Sequence, residues 1–184
     1  MERGASLQAL KLRLNRAEFA QKYNHLFLVR ELDASEMPAQ FETRAAARTI
    51  PIGMAKQARA GAVDMIARVH SEPGRFGFYA IAKQAVPAGG TAPAASAPDR
   101  VTIGRATNND IVLWHESVSK MHAFFRHDED RGWLLEDAGS TNGTLADGVV
   151  LAAGDAVLIK SGSSIVFGSL SCAVIGAGEL FDCL

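Results

Sequence analysis

Three short stretches of this 184-residue chain collect side chains able to do chemistry. The first is Gly104-Arg105, followed by Ala106-Thr107-Asn108-Asn109-Asp110. The second is Ser117-Val118-Ser119-Lys120-Met121-His122, and the third is Asp137-Ala138-Gly139-Ser140-Thr141-Asn142-Gly143-Thr144. One chemistry they suggest is nucleophilic catalysis, with Ser119 attacking, His122 as base and Asp137 orienting it. No strained Gly-x-Ser-x-Gly turn surrounds that serine, although convergent triads obey no fixed order. The glycine-flanked third stretch lacks the Gly-Lys-Ser/Thr ending that reaches nucleotide phosphates. Metal binding is poorly supplied, because His25, His70, His115, His122 and His127 are scattered and neither cysteine stands at zinc spacing from another ligand. Taken one at a time, Arg105 reads as a surface charge, Ser119 as a turn hydroxyl and Asn142-Gly143 as a hairpin turn. The sequence therefore points to no enzyme, no metal and no cofactor.

The elements that must position these stretches follow from the texture of the chain. From residue 101 onward, short β-branched and aromatic runs recur about every ten residues, punctuated by Gly, Asn and Asp, as in a sandwich or barrel. The expected strands are 101–104, 111–113, 122–126, 133–137, 144–145, 149–151, 156–160, 164–167 and 171–175. Asp128-Glu129-Asp130-Arg131-Gly132 reads as a hairpin turn and Asp147-Gly148 as a type I′ turn. Trp133 lies in an apolar run and reads as packing, as does Trp114, although the latter adjoins a polar loop. Each polar stretch falls where a strand gives way to a loop. Loops at one end of a sandwich lie together, so one shared site is the hypothesis.

In this order the stretches resemble the forkhead-associated (FHA) family of phosphothreonine-peptide-binding β-sandwiches. The likeness runs through Ile103-Gly104-Arg105, Asp110-Ile111, Val118-Ser119-Lys120-Met121-His122, Asp137 to Thr144, and Gly154-Asp155. It implies a mainly β fold, an FHA-like sandwich of about ten to eleven short strands preceded by a small α/β extension. It also implies residue roles. Arg105 matches the family's phosphate-binding arginine, whose guanidinium presents two parallel N–H donors to two phosphate oxygens. Ser119 matches the serine that gives phosphate a hydroxyl hydrogen bond, Lys120 adds charge, and Thr141 offers a further donor. Asn142 matches the asparagine that holds the peptide main chain, its carboxamide donating and accepting at once. Gly104, His122, Ser140 and Gly143 shape the loops, and Asn108 and Asn109 stand at the rim or form the turn. Asp147-Gly148 departs from the family's usual Asn-Gly, yet both suit the turn.

The implied function is phosphothreonine-dependent protein–protein interaction downstream of a Ser/Thr protein kinase. The alternative is the same scaffold binding a partner through another surface, without phosphate. The expected division is an extension of unknown role at 1–71, the FHA domain at 72–178 with a flexible Ala/Pro/Gly-rich insert at 85–99, and a tail at 179–184. In the extension, Leu7, Leu10, Leu14 and Ala17 predict an amphipathic helix over about 5–22. Leu26–Val29 and the alternation Phe76, Phe78, Ala80 predict strands, and Ala58, Ala62, Met65, Ile66 and Val69 a second helix.

Charge narrows the partner. The net charge is -1, with 19 Lys/Arg and 20 Asp/Glu, and the acidic residues concentrate after residue 98. A duplex-binding surface needs many cations, so no nucleic-acid partner is expected and any anion must be held at a focused site. No apolar run approaches the roughly 20 residues of a membrane span, and the first residues lack the apolar stretch of a signal peptide. Hence no membrane partner and a cytoplasmic location are expected, with Cys172 and Cys183 as thiols rather than a disulfide.

Overall fold

Short, largely buried strands, joined by turns rich in Gly, Asp and Asn, stack into two sheets in the computed structural model, which describes residues 2–3, 12–33, 55–82 and 99–184. Their ranges are β1 Glu2–Arg3, β2 Leu26–Glu31, β3 Phe76–Ala80, β4 Arg100–Gly104, β5 Ile111–Val112, β6 Ala123–Asp128, β7 Gly132–Asp137, β8 Thr144–Ala146, β9 Val149–Leu151, β10 Ala156–Leu158, β11 Ser164–Phe167 and β12 Leu170–Gly176. Helices α1 (Arg16–Lys22), α2 (Ala55–Ser71) and α3 (Ala177–Cys183) accompany them. The five-stranded sheet runs β10-β7-β6-β4-β5 and the seven-stranded sheet β1-β3-β2-β12-β11-β8-β9. Every pairing is antiparallel except β4 with β5. The fold is mainly β, as expected, and ten of the twelve strands lie within 72–178.

Two apolar cores flank the larger sheet. Between the sheets lie Ile103, Phe125, Leu135, Ile165, Phe167 and Val174. On the larger sheet's other face, Phe27, Val29, Phe76, Phe78 and Ile175 pack with Phe19 of α1, Val69 of α2 and Leu180 of α3. Side chains along a strand alternate faces, so Leu28 enters the first core while its neighbours Phe27 and Val29 enter the second. That is why Leu26–Val29 reads as an unbroken apolar run rather than as a half-solvated strand.

The N-terminal elements are joined to the sandwich through backbone hydrogen bonds. Strand β2 lies between β3 and β12, with Leu28 opposite both Tyr79 and Val174. Its last residue, Glu31, takes hydrogen bonds from Arg68 of α2 at 2.6 Å and from Arg75 at 2.7 Å. The helix expected over 5–22 is shorter in its described part. It starts at Arg16, where Asn15 Oδ1 accepts the Glu18 N–H and the Glu18 carboxylate accepts the Asn15 N–H. This reciprocal capping box fixes the helix start. Leu7 and Leu10 lie outside the described residues.

The segment 179–184, expected as a tail, is largely helical. Leu180 and Cys183 of α3 are buried in the second core, and Asp182 pairs with Arg16 of α1 on the surface. Tertiary burial holds this seven-residue helix, since an isolated helix so short is marginal. Cys172 and Cys183 are both buried and are not joined in a disulfide. The insert expected at 85–99 falls outside the described residues except for Asp99. No helix among the described residues is long and apolar enough to cross a membrane.

Candidate functional site

Three loops meet at one end of the sandwich. The first leaves β4 at Gly104 and returns at β5, the second (residues 113–122) leads into β6, and the third (138–143) connects β7 to β8. Backbone hydrogen bonds fasten the first two: Arg105 N–H to the Ser119 carbonyl at 2.9 Å and Ala106 N–H to the Lys120 carbonyl at 3.1 Å. This approach requires glycine at 104. A Cβ there would stand 2.4 Å from the Lys120 carbonyl oxygen.

Two buried acids brace the loops from inside. Asp110 accepts the Thr102 N–H at 2.8 Å and the Thr102 hydroxyl at 2.9 Å, setting the return of the first loop. Asp137 accepts from Gly139 N–H, Ser140 N–H, Ser140 Oγ and Thr144 Oγ1, which folds the third loop around a carboxylate. Burial pushes the Asp137 pKa up, but the bonds from Thr144, Ser140 and Gly139 outweigh it and hold the group below the usual range. Its acceptor positions are filled from within the loop, so Asp137 has no orienting bond to offer an imidazole.

His122 joins the second loop to the third. It is fully buried; its Nδ1 accepts the Ser119 N–H at 3.0 Å and its Nε2 lies 3.1 Å from the Gly143 carbonyl. With Nδ1 accepting, Nε2 carries the proton and donates to Gly143. Burial lowers the His122 pKa, opposed by the Gly143 bond and the Asp137 charge, so the neutral ring is favoured. Its two nitrogens are committed to the backbone, and the Ser119 hydroxyl is engaged elsewhere. It receives the Thr141 N–H at 3.0 Å and lies 3.4 Å from Thr141 Oγ1. The arrangement is a scaffold for Ser119, not a serine nucleophile with its base.

On this scaffold the expected binding residues face outward together. Arg105 is exposed, and its Nε donates to the Val118 carbonyl at 3.2 Å, which aims the guanidinium. Its two Nη groups and the Lys120 ammonium make no hydrogen bond or ion pair with any described residue. Thr141 and Asn142 are exposed on the facing loop, where Gly143 adopts φ +79°, a left-handed conformation that favours glycine. Asn142 Nδ2 donates to the Ser117 carbonyl at 2.8 Å, which leaves the carboxamide oxygen outward. Two uncompensated cations, a hydroxyl and an amide thus converge on one patch of an otherwise acidic half-chain, which suits an anion attached to a peptide.

Two expected positions differ in role. Asn108 is exposed at the rim, but Asn109 is buried and its Nδ2 donates to the Ala106 and Lys120 carbonyls at 2.8 and 2.7 Å. It is a strut between loops, because two carbonyls facing each other below the surface need a shared donor. Ser117 was not singled out by sequence reasoning. Its Oγ accepts the Ser169 N–H at 3.0 Å and sits 2.8 Å from His115 Nδ1, locking the second loop to the β11–β12 turn. A serine two positions before Ser119 was the available signal.

Residues 101–168 match the family model for the FHA domain. No curated protein matches the chain in sequence. Among solved structures, it is similar to the FHA domain of the CT664 protein from Chlamydia trachomatis, with 14% identity, TM-score 0.45, and coverage of 82% of this chain and 96% of that one. It is also similar to the N-terminal FHA domain of S. cerevisiae Rad53p in complex with a phosphothreonine peptide, with 28% identity, TM-score 0.38, and coverage of 46% and 73%. A third is the FHA-2 domain of the Mycobacterium tuberculosis ABC transporter Rv1747, with 31% identity, TM-score 0.36, and coverage of 49% and 78%. The matched segment contains all three loops and every residue expected to bind. Over residues 101–168, then, this chain belongs to the FHA domain family.

Proposed function

We propose that this protein is an interaction module that binds a phosphothreonine-bearing segment of a partner protein, phosphorylated by a Ser/Thr kinase. The observation that carries the reading is the pair of unengaged cations, Arg105 and Lys120, held beside Ser119 and Thr141 by loops braced from inside by the buried carboxylates of Asp110 and Asp137. The Nη donors of Arg105 take two phosphate oxygens, Lys120 adds a point charge, and the hydroxyls of Ser119 and Thr141 donate to the remainder. Asn142 holds the peptide main chain through its carboxamide. Nothing in this set transfers a proton or bond, so the role is binding without catalysis.

A phosphothreonine carries about −1.5 to −2 at neutral pH and takes up a proton near pH 6. The test is one peptide in four forms, threonine, phosphothreonine, phosphoserine and glutamate, titrated calorimetrically into the whole chain at about pH 5 and pH 7.5. Phosphothreonine should bind best, glutamate least among the charged forms, and phosphothreonine affinity should drop at the lower pH. Equal affinity for all four at both values would replace this reading with phosphate-independent scaffolding.

A further inference from the structure

At the opposite end of the sandwich from Arg105, a cleft of about 620 Å³ opens between the N-terminal elements and the five-stranded sheet. Strand β6 separates the two ends. It starts beside His122 and carries the chain about 17 Å, at 3.3–3.4 Å per residue, to the hairpin that forms one wall. The other walls are the end of α1 with the turn after it, the chain following β10, and the start of α3. Four separate segments therefore build one concavity, in the size range of small-molecule sites.

The side chains lining it are selective in kind. Arg131 and Lys160 contribute cations, Tyr23, His25, His127 and Trp133 contribute rings, and no Asp or Glu is among the lining residues. From residue 99 onward the chain has six Lys/Arg against twelve Asp/Glu, so two cations in a cleft lined by no acid run against the local composition, although Arg131 also feels the nearby Asp128 charge. Neither the Arg131 guanidinium nor the Lys160 ammonium makes a hydrogen bond or ion pair with any described residue. The nearest acids are occupied: Glu179 accepts from Ser161 Oγ, and Asp128 accepts the N–H groups of Asp130 and Arg131. His127 stands edge-on to Trp133 with ring centroids 5.1 Å apart, which holds the indole in place. His25 packs against Phe27 at 4.8 Å, and its Nε2 is buried without a hydrogen-bond partner.

We propose that this cleft is a second binding site, for a small organic anion carrying a flat ring, such as a nucleotide or an aromatic carboxylate. The ring rests against Trp133 and Tyr23, and the anionic group is met by Arg131 and Lys160. The site is independent of the phosphothreonine reading, since it shares no residue with the three loops. Because its walls come from both α1 and the sandwich, an occupant also fastens the N-terminal elements to the β6–β7 hairpin and raises thermal stability with the logarithm of its concentration above Kd.

The test uses the whole chain with Arg105→Ala, which weakens anion binding at the other end. The four probes are adenosine 5′-monophosphate, indole-3-acetate, adenosine and inorganic phosphate. Binding is read from the indole N–H signals of Trp133 and Trp114, the latter reporting on the far loops. At least one ring-bearing anion should shift Trp133 saturably and leave Trp114 in place, and adenosine and phosphate should bind at least tenfold more weakly. Combining Arg131→Ala with Lys160→Ala should weaken the ring anion by roughly tenfold or more, with the melting temperature of the unliganded protein unchanged. If only one of the two ring anions binds, the source of the anion is a nucleotide or a carboxylate accordingly. The proposal is overturned if neither saturates below about 10 mM, a binding free energy near −2.7 kcal/mol. It is overturned equally if adenosine binds as tightly, or if the double variant binds unchanged.

Discussion

Replacing Arg105 by alanine separates binding from folding. The side chain is exposed and makes one hydrogen bond to the protein, from Nε to the Val118 carbonyl. Losing a single neutral-acceptor bond at a wet surface costs about 1 kcal/mol of stability or less. Both Nη groups are unspent, and each charge-assisted bond to a phosphate oxygen contributes roughly 1.5–3 kcal/mol. The two are not additive, because water and Lys120 recover part of the loss. Counting only one bond still predicts a fall of about tenfold or more, at 1.4 kcal/mol per decade. Arg105→Lys keeps the charge and loses the planar fork, so it should recover part of the affinity. The assay is calorimetric titration of a phosphothreonine peptide into wild type and both variants, with thermal melts of each. Wild-type affinity in Arg105→Ala, with an unchanged melt, would show that phosphate is not bound at these loops.

Gly104→Ala places a methyl group against the Lys120 carbonyl, so the two loops must part. It should lower stability by roughly 1–3 kcal/mol, read by denaturant unfolding, and weaken phosphopeptide binding through Arg105 and Ser119. Burial holds the folded pKa of His122 below the ordinary histidine range, so the unfolded state takes up the proton first. The stability from its neutral form is present above that range and declines as pH falls through it, until the folded protein is itself protonated. His122→Gln should flatten this decline, measured by thermal melts across the acid range. A fragment of residues 72–184 removes β2 and Phe19, exposes the edges of β3 and β12, and opens the second core. It should show no cooperative melt, whereas a chain beginning at residue 12 and otherwise complete should retain one.

The strands that carry the site were legible because each is short, apolar and bounded by turn residues, and the loop residues because their order is distinctive. Asp147-Gly148 behaves as its composition implies, with φ of +49° and +82°. The elements around them were harder to read for reasons of long-range packing. Leu26–Val29 declares a strand, but its place between β3 and β12 is fixed by residues far along the chain. The helix start at Asn15 was visible in Asn15-x-x-Glu18, yet the leucine periodicity upstream drew the expected boundary outward. Residues 177–183 contain two glycine-flanked positions and no strong period; burial of Leu180 makes the helix. For Asn109 the rim and the turn both stayed open, because side-chain type does not reveal depth. Trp133 packs partly against the first core and also lines the far cleft, while Trp114 is 59% exposed, contrary to a packing role.

The central position of β2 has a consequence for synthesis. Val29 pairs with Ala173, far along the chain, in a strand made after the other strands of the described residues. Pairings so distant in sequence are slow to form, and until they do the apolar face of β2 and its edge away from β3 are unprotected. A nascent chain therefore carries an aggregation-prone strand until Leu170–Gly176 has been made, and the seven-stranded sheet closes only when that strand docks.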